Sequence, residues 1–169
     1  MAHPELLECA QKQIEAARTY TLGLLDGLDE NLWFVQPDGC PSHVAWQVGH
    51  LAATQYLLVV FRLRGKKDED SRIISKDFLR RFGKGSRPEP QSAVELTPAE
   101  LRQVLDGVHQ MTREVLETVR PEELDERVRE PFAAYDTKLG SLLFCAHHEM
   151  LHAGQIGLIR RMLGFSPVR

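Results

Sequence analysis

The sequence has few cysteines, no long apolar run and no excess of one charge. Its three cysteines, Cys9, Cys40 and Cys145, are scattered and lack C-x-x-C spacing, which indicates reduced thiols and no disulfide framework. The longest apolar run, residues 57–61, is too short to cross a bilayer, and the opening segment lacks the features of a secretory signal. The net charge of −3, with both signs interspersed, provides no basic surface for nucleic acid. These absences predict a cytoplasmic protein that binds neither membranes nor nucleic acids.

No segment of the chain has the pattern of a β-strand. Apolar residues instead recur at steps of three and four, which predicts helices over residues 4–28, 43–64, 97–119 and 136–164. A chain of 169 residues can bury about two-thirds of its unfolded surface, so it needs no disulfide to be stable. We therefore expect an all-α protein, an antiparallel four-helix bundle with long crossover loops, in which residues 1–169 form a single domain.

Two of the predicted helices begin at recognisable capping residues. Ser42 is a suitable N-cap for the second helix, because its hydroxyl can accept a hydrogen bond from a backbone N–H of the first turn. Thr97 and Glu100 form an S/T-x-x-E capping box at the start of the third helix. These residues predict where the two helices start.

Residues 65–96 form a long irregular connection between the second and third predicted helices. Only SKDFLRRF, residues 75–82, has the pattern of a short helix. Connections of this length are unusual in a compact domain and are often functional. The segment is therefore either a cover for a site or an excursion over the surface.

Two histidines of the fourth predicted helix have the spacing of a metal-binding pair. His148 and His152 are four residues apart, so they lie on one face of the helix, about 6 Å apart along its axis. Their neighbours on that face are expected to point into the bundle, where two imidazoles without partners would be costly. A metal ion would satisfy both rings. The alternative is a pair of half-exposed histidines at the edge of the helix.

The same residues, HEMLH at 148–152, match the H-E-x-x-H motif of zinc proteases, in which Glu149 would be the general base. The usual proteases of this kind take a third ligand from a residue that follows the motif. Here the segment after His152 contains no Asp, Glu, His or Cys, so a third ligand must come from upstream. Glu149 lies about 100° around the helix from His148, and its other interpretation is a residue that flanks the site or supports a ligand.

His50 is the exception on an almost wholly apolar face of the second predicted helix. A single histidine on such a face is more often a core residue bonded to a carbonyl or a water. Because the pair on the fourth helix lacks a third ligand, His50 is also a candidate to supply it. His43 is expected to line the mouth of a pocket or to start the helix, and His109 is expected at the surface. Three imidazoles with open coordination positions would suit Zn²⁺ or Ni²⁺.

Two motifs in the chain resemble those of the DinB/YfiT superfamily. They are W-Q-V-G-H-L at residues 46–51, and H-E-M-L-H-A-G-Q-I with L-I-R-R-M-L-G at residues 148–164. In that family one histidine of the second helix and an H-x-x-x-H pair of the last helix bind a divalent metal. The resemblance therefore implies that His50, His148 and His152 are the metal ligands here.

The resemblance also implies a class of chemistry. Characterised relatives include thiol S-transferases that use bacillithiol and isomerases that depend on mycothiol, whereas many members have no assigned activity. We accordingly expect a metal-dependent enzyme, similar to a thiol S-transferase, that acts on a small electrophile with zinc or nickel and a low-molecular-weight thiol such as bacillithiol. The alternatives are a hydrolase that uses a metal-bound hydroxide and a non-catalytic metal-binding module. A homodimer is expected because the family commonly dimerises and because residues 58–60 are apolar on more than one side of their helix.

Overall fold

The computed structural model describes residues 4–130 and 134–168, and its regular structure is helical. The helices are α1 (Pro4–Leu25), α2 (Val44–Gln55), α3 (Arg62–Arg64), α4 (Lys76–Phe82), α5 (Gln91–Val94), α6 (Pro98–Thr118) and α7 (Lys138–Met162). Short 3-10 turns occur at Glu30–Leu32, Asp68–Arg72 and Pro121–Glu123. Within the described residues there is no strand beyond one isolated bridge between Arg127 and Thr137. The all-α prediction is therefore confirmed.

A π-helical stretch, Tyr56–Phe61, joins α2 to α3, so that Val44–Arg64 forms one continuous rod. By length and composition the rod could cross a membrane. However, 78% of its most apolar stretch is buried inside the protein, as expected of the central helix of a core. For the same reason Leu58, Val59 and Val60 are buried, so these residues do not support the expected homodimer, which stays a prediction.

Side-chain hydrogen bonds show that α1 and α6 run antiparallel. Gln11 donates to the carbonyl of Leu116, and Arg18, two turns further along α1, donates to the carbonyl of Leu105. The residue numbers therefore rise in one helix and fall in the other. This pair follows the antiparallel arrangement that the sequence predicts.

The neighbouring helices α1 and α7, in contrast, run parallel. Arg18 pairs with Glu149, and Leu24 accepts a hydrogen bond from Arg160, so the residue numbers rise together in both helices. The expectation of an antiparallel bundle is therefore wrong for this pair. The long connections are the physical reason, because they let the chain re-enter the fold from its opposite end.

The rod runs antiparallel to α7, since His152 bonds to Gln47 while Ser141 bonds to the carbonyl of Leu58. With α7 parallel to α1 and α1 antiparallel to α6, the rod and α6 must run in the same direction. Residues 65–97 return the chain along the length of the fold between them, which explains why this crossover is long. It contains α4, which confirms the short helix predicted there.

The structure confirms one predicted cap and corrects the other. Thr97 and Glu100 form the reciprocal capping box at the start of α6. The predicted cap Ser42 is wrong, because His43 is the N-cap of α2 and its Nδ1 accepts a hydrogen bond of 3.1 Å from the backbone N–H of Trp46. An imidazole nitrogen here replaces the usual oxygen acceptor. The prediction that His43 lies at the start of the helix is thereby confirmed.

Candidate metal centre

Three histidines from two helices meet between α2 and α7. His50 lies opposite His148 and His152, and the three ring centroids are 4.5–5.1 Å apart. One nitrogen from each ring lies within 4.8 Å of those from the other two. The antiparallel packing of the two helices therefore brings together the three residues that the resemblance implies.

His50 is held by the crossover. Its Nδ1 donates a hydrogen bond of 2.6 Å to the carbonyl oxygen of Phe82, and because a carbonyl can only accept, Nδ1 carries the ring proton. Nε2 therefore keeps its lone pair. The Thr54 hydroxyl is 3.5 Å from that nitrogen, which is too far for a strong hydrogen bond. The Nε2 atom of His50 is thus available to a metal ion.

His152 is held in the same way by α2. Its Nδ1 donates to Oε1 of Gln47, while Nε2 of Gln47 donates to the Ser42 hydroxyl at 2.9 Å. In this arrangement the amide oxygen of Gln47 is the acceptor for His152, and its NH₂ group faces the Ser42 hydroxyl. Nε2 of His152 is therefore also available. No sequence pattern indicated this role for Gln47.

Burial keeps all three rings neutral. Burial, followed by the nearby His152 and His50, lowers the pKa of His148 to about 3. Burial and then His50 lower the pKa of His152 to about 4. Burial also lowers the pKa of His50, although its bond to the Phe82 carbonyl opposes that shift. Near neutral pH the site therefore consists of uncharged imidazoles, the form in which histidine binds metals.

Trp46 forms one wall of the site. Its ring stacks on His50 with centroids 4.8 Å apart and an angle of 8° between the planes, and it lies 6.2 Å from the ring of His152. The indole Nε1 donates a hydrogen bond of 3.1 Å to the Ser86 hydroxyl. The indole cannot turn away without losing both the stacking and this bond. It therefore fixes the plane of His50 and shields one side of the site from water.

Residues 82–89 of the crossover, which we call the crossover seam, lie along one face of α2. Besides the bonds made by Phe82 and Ser86, the carbonyl of Glu89 accepts a hydrogen bond of 3.0 Å from Nε2 of His43. Phe82 packs so closely on Gly49 that a Cβ there would lie 2.3 Å from its ring. The connection for which the sequence left two interpretations open therefore supplies contacts to the site.

One known protein family matches most of the chain. The family model described as the DinB superfamily matches residues 13–156, which include all three clustered histidines. The chain belongs to the DinB superfamily. No curated protein matches the sequence significantly. The family that the two motifs indicate is thereby confirmed.

Glu149 of this DinB chain lies in a separate buried cluster. Its carboxylate forms an ion pair of 2.7 Å with Arg18, and the two side chains are only 3% and 2% exposed. Arg18 also donates to the carbonyl of Leu105 at 3.0 Å and to Oε1 of Gln55 at 2.8 Å. A carboxylate enclosed with a guanidinium is not free to reach a substrate. We therefore assign Glu149 to holding α7 against α1, and not to the predicted role of general base.

The prediction that His109 lies at the surface is wrong. Its ring is only 7% exposed, its Nδ1 accepts a hydrogen bond of 3.1 Å from Gln55, and its Nε2 lies 3.3 Å from a carboxylate oxygen of Glu15. Burial, followed by the charge of Arg18, lowers the pKa of this histidine. The partners belong to α1 and α2, so the apolar stripe of α6 could not reveal them. His109 therefore extends the Arg18 cluster in this DinB fold.

Proposed function

We propose that this protein is a metal-dependent enzyme that transfers a low-molecular-weight thiol, such as bacillithiol, to a small electrophile. The observation that supports it is the convergence of three neutral imidazoles without a fourth ligand, since no cysteine or carboxylate of the described residues joins the cluster. Structural zinc sites close their coordination with four protein ligands, whereas catalytic sites keep a position open. Cys145, on the same helix, is fully buried outside the cluster, and burial raises the pKa of its thiol.

The residues fit a divalent ion such as Zn²⁺ or Ni²⁺. Imidazole nitrogen suits both ions. The Nδ1 atoms of His50 and His152 already bond to oxygen acceptors, which is how metal-binding histidines are usually oriented. His148 has no hydrogen-bond partner among residues 4–130 and 134–168, so an ion would supply the contact that this half-buried ring lacks.

The arrangement suits the activation of a thiol. A divalent ion held by three neutral imidazoles keeps its charge uncompensated, so it would favour the thiolate form of a thiol at its open side. The thiol proton passes to solvent, the sulfur lone pair forms a bond to the electrophilic carbon, and a leaving group such as chloride departs with the electrons of the broken bond. The chain's own contribution is to hold the rings through Phe82 and Gln47 and to exclude water with Trp46.

The test is conjugation of a chlorinated aromatic or an epoxide with bacillithiol, mycothiol, glutathione or cysteine. We expect metal-loaded protein to catalyse conjugation, and chelated or His148→Ala protein to lose it. The exposed neighbour His147 provides the matched control, because His147→Ala should keep full activity.

Other results would point elsewhere. Conjugation that survives chelation would exclude the proposal. Metal-dependent hydrolysis of an ester or amide, without conjugation of any thiol, would favour a hydrolase in which water takes the place of the thiol. Inactivity in both assays, with a fourth protein ligand visible in a metal-bound structure, would favour a non-catalytic metal-binding module.

We also propose that the protein forms a homodimer. α7 carries exposed apolar residues along one face, with Leu151 63% exposed and Met162 43% exposed. Apolar residues gathered on one face of a surface helix are typical of an interface. Light scattering should give twice the chain mass of 19.2 kDa, and Leu151→Glu should reduce it to the mass of one chain. A wild-type protein that is monomeric at micromolar concentration would contradict this proposal.

A further inference from the structure

A cavity of about 470 Å³ lies beside the candidate metal centre. Its lining includes His152 and Trp46 of the centre, Leu158 of α7, and Ser86 and Arg87 of the crossover seam. The volume falls within the roughly 300–1,000 Å³ that small-molecule sites occupy. The cavity is therefore placed to hold a small molecule against the histidines.

Arg87 gives this cavity its charge. It is the one described lining residue with a permanent charge, and none of the described lining residues is an aspartate or glutamate. Within the described chain Arg87 makes no ion pair, whereas Arg81 of the same crossover pairs with Asp77 and Glu89. A guanidinium without a protein partner can bind an anion, and its planar geometry matches a carboxylate through two parallel hydrogen bonds.

The residues on both sides of Arg87 are held against α2 and its N-cap. The Ser86 hydroxyl accepts the hydrogen bond from the Trp46 indole, and the backbone carbonyl of Glu89 accepts the one from His43. The guanidinium therefore projects from an anchored segment of the cavity wall. Less conformational freedom is lost when a ligand binds to a segment that is already held in place.

We propose that the cavity binds a carboxylate-bearing thiol, with the carboxylate on Arg87 and the sulfur directed towards the histidines. The inference rests on the proposed function, which identifies the ligand as a thiol. One guanidinium balances the single charge of one carboxylate, and the apolar side chain of Leu158 suits the carbon chain between the two ends. Arg87 would then be the residue that determines which thiols the protein selects.

The experiment compares two thiols of the same length, 3-mercaptopropionate with a charged carboxylate and 3-mercaptopropionamide with a neutral amide, on protein loaded with Co²⁺. Sulfur binding to cobalt produces a charge-transfer absorption, so titration gives an affinity for each thiol without an activity assay. We expect the acid to bind about tenfold more tightly than the amide, in keeping with one hydrogen-bonded charge pair near solvent. Arg87→Gln should remove this preference.

Arg72→Gln is the matched control. Arg72 is also an exposed arginine of the crossover, but it does not line this cavity. The control should keep the preference for the acid, and both variants should melt at the wild-type temperature because both side chains are exposed. Equal affinity for the two thiols in the wild type, or a preference that survives in Arg87→Gln, would overturn the inference.

A second measurement separates this inference from the proposed function. If neither thiol alters the cobalt spectrum, the thiol function fails, but the carboxylate site can still be tested on metal-free protein. Cys40 is half-buried and lines the same cavity, so a bound ligand should slow its alkylation, which mass spectrometry can follow. Protection by propionate but not by propionamide, lost in Arg87→Gln, would support the carboxylate site. Protection that is absent or unchanged in the variant would overturn it.

Discussion

Two polar clusters contain adjacent residues of α7. They differ in whether other protein groups satisfy the hydrogen-bonding and charged groups of the cluster. His148 belongs to the histidine cluster and Glu149 to the Arg18 cluster, and the helix directs them about 100° apart. In the Arg18 cluster the guanidinium is satisfied by Glu149, the carbonyl of Leu105 and the amide of Gln55. In the histidine cluster the rings are neutral, and His148 has no hydrogen-bond partner in the described part of the chain.

This difference separates a structural polar cluster from a binding site. A buried charge must be paired with protein groups, because an unpaired charge in the core would cost too much folding free energy. A neutral imidazole can lack a protein partner at a smaller energetic cost, and its free nitrogen can then bind a ligand. The same helix therefore carries one cluster that helps define the fold and one that could hold a metal ion.

The largest effect should be a loss of stability when the Arg18 cluster is disrupted. Arg18→Met leaves Glu149 buried without its partner charge, which typically costs about 3–5 kcal/mol of unfolding free energy. The double variant Arg18→Met with Glu149→Leu should recover most of that loss, because no charge is then left unpaired. Urea unfolding measures both effects. An Arg18→Met protein as stable as the wild type would contradict the structural role.

Removing a ligand should affect metal binding far more than folding. His50→Ala should lower metal affinity by more than about 100-fold, since even residues that only support a ligand contribute 10–100-fold. Elemental analysis of protein without an affinity tag should fall from about one ion per chain to almost none. The double variant of the Arg18 cluster is the control and should keep its metal. Full occupancy in His50→Ala would show that the ligand set is wrong.

The histidine cluster, whose role as a metal site stays a prediction, could be predicted because its signal is local. The four-residue spacing of His148 and His152 and the exceptional position of His50 are visible in short segments. The residues that orient them were missed, since Phe82 acts through a backbone carbonyl that any residue provides. Which residue of a long crossover reaches α2 depends on packing, and no sequence pattern encodes it.

Glu149 shows that a local motif can also predict the wrong role for a residue. H-E-x-x-H predicts a general base because the motif places a carboxylate beside two ligands. The structure instead pairs that carboxylate with Arg18, which is 131 positions away in the chain. The parallel packing of α1 on α7 creates this contact, and the sequence predicted an antiparallel arrangement. His109 was also misplaced, because its partners lie on two other helices and the pattern of α6 alone could not reveal them.

Removing a residue that orients a histidine should reduce metal affinity by less than removing the histidine itself. Gln47→Leu takes away the acceptor of the His152 Nδ1–H and should weaken metal binding by about 10–100-fold. Gln47→Glu keeps an oxygen acceptor and should retain most of the affinity. Gln55→Leu is the matched control, because that glutamine belongs to the Arg18 cluster. Competition with a chelator gives the affinities, and equal losses for Gln47→Leu and Gln55→Leu would contradict the separation of the two clusters.

The smallest effect should be a change in how stability depends on pH. Burial, followed by the charge of Arg18, lowers the pKa of His109, although Glu15 opposes the shift. Below about pH 6.5 this histidine is protonated in the unfolded chain but stays neutral in the folded protein, so the unfolded state binds more protons. Its contribution to stability is therefore complete above that pH and is lost as the pH falls towards the folded pKa.

His109→Gln isolates this contribution, because glutamine can still form hydrogen bonds but does not titrate. Urea unfolding of metal-free protein between about pH 7.5 and pH 5 should show a shallower loss of stability in the variant. The difference in slope cannot exceed about 1.4 kcal/mol per pH unit, the value for one proton. The other buried histidines titrate in both proteins and cancel in the comparison. Identical slopes would mean that His109 takes up its proton as readily in the folded protein as in the unfolded chain, which would contradict its place in a closed, buried cluster.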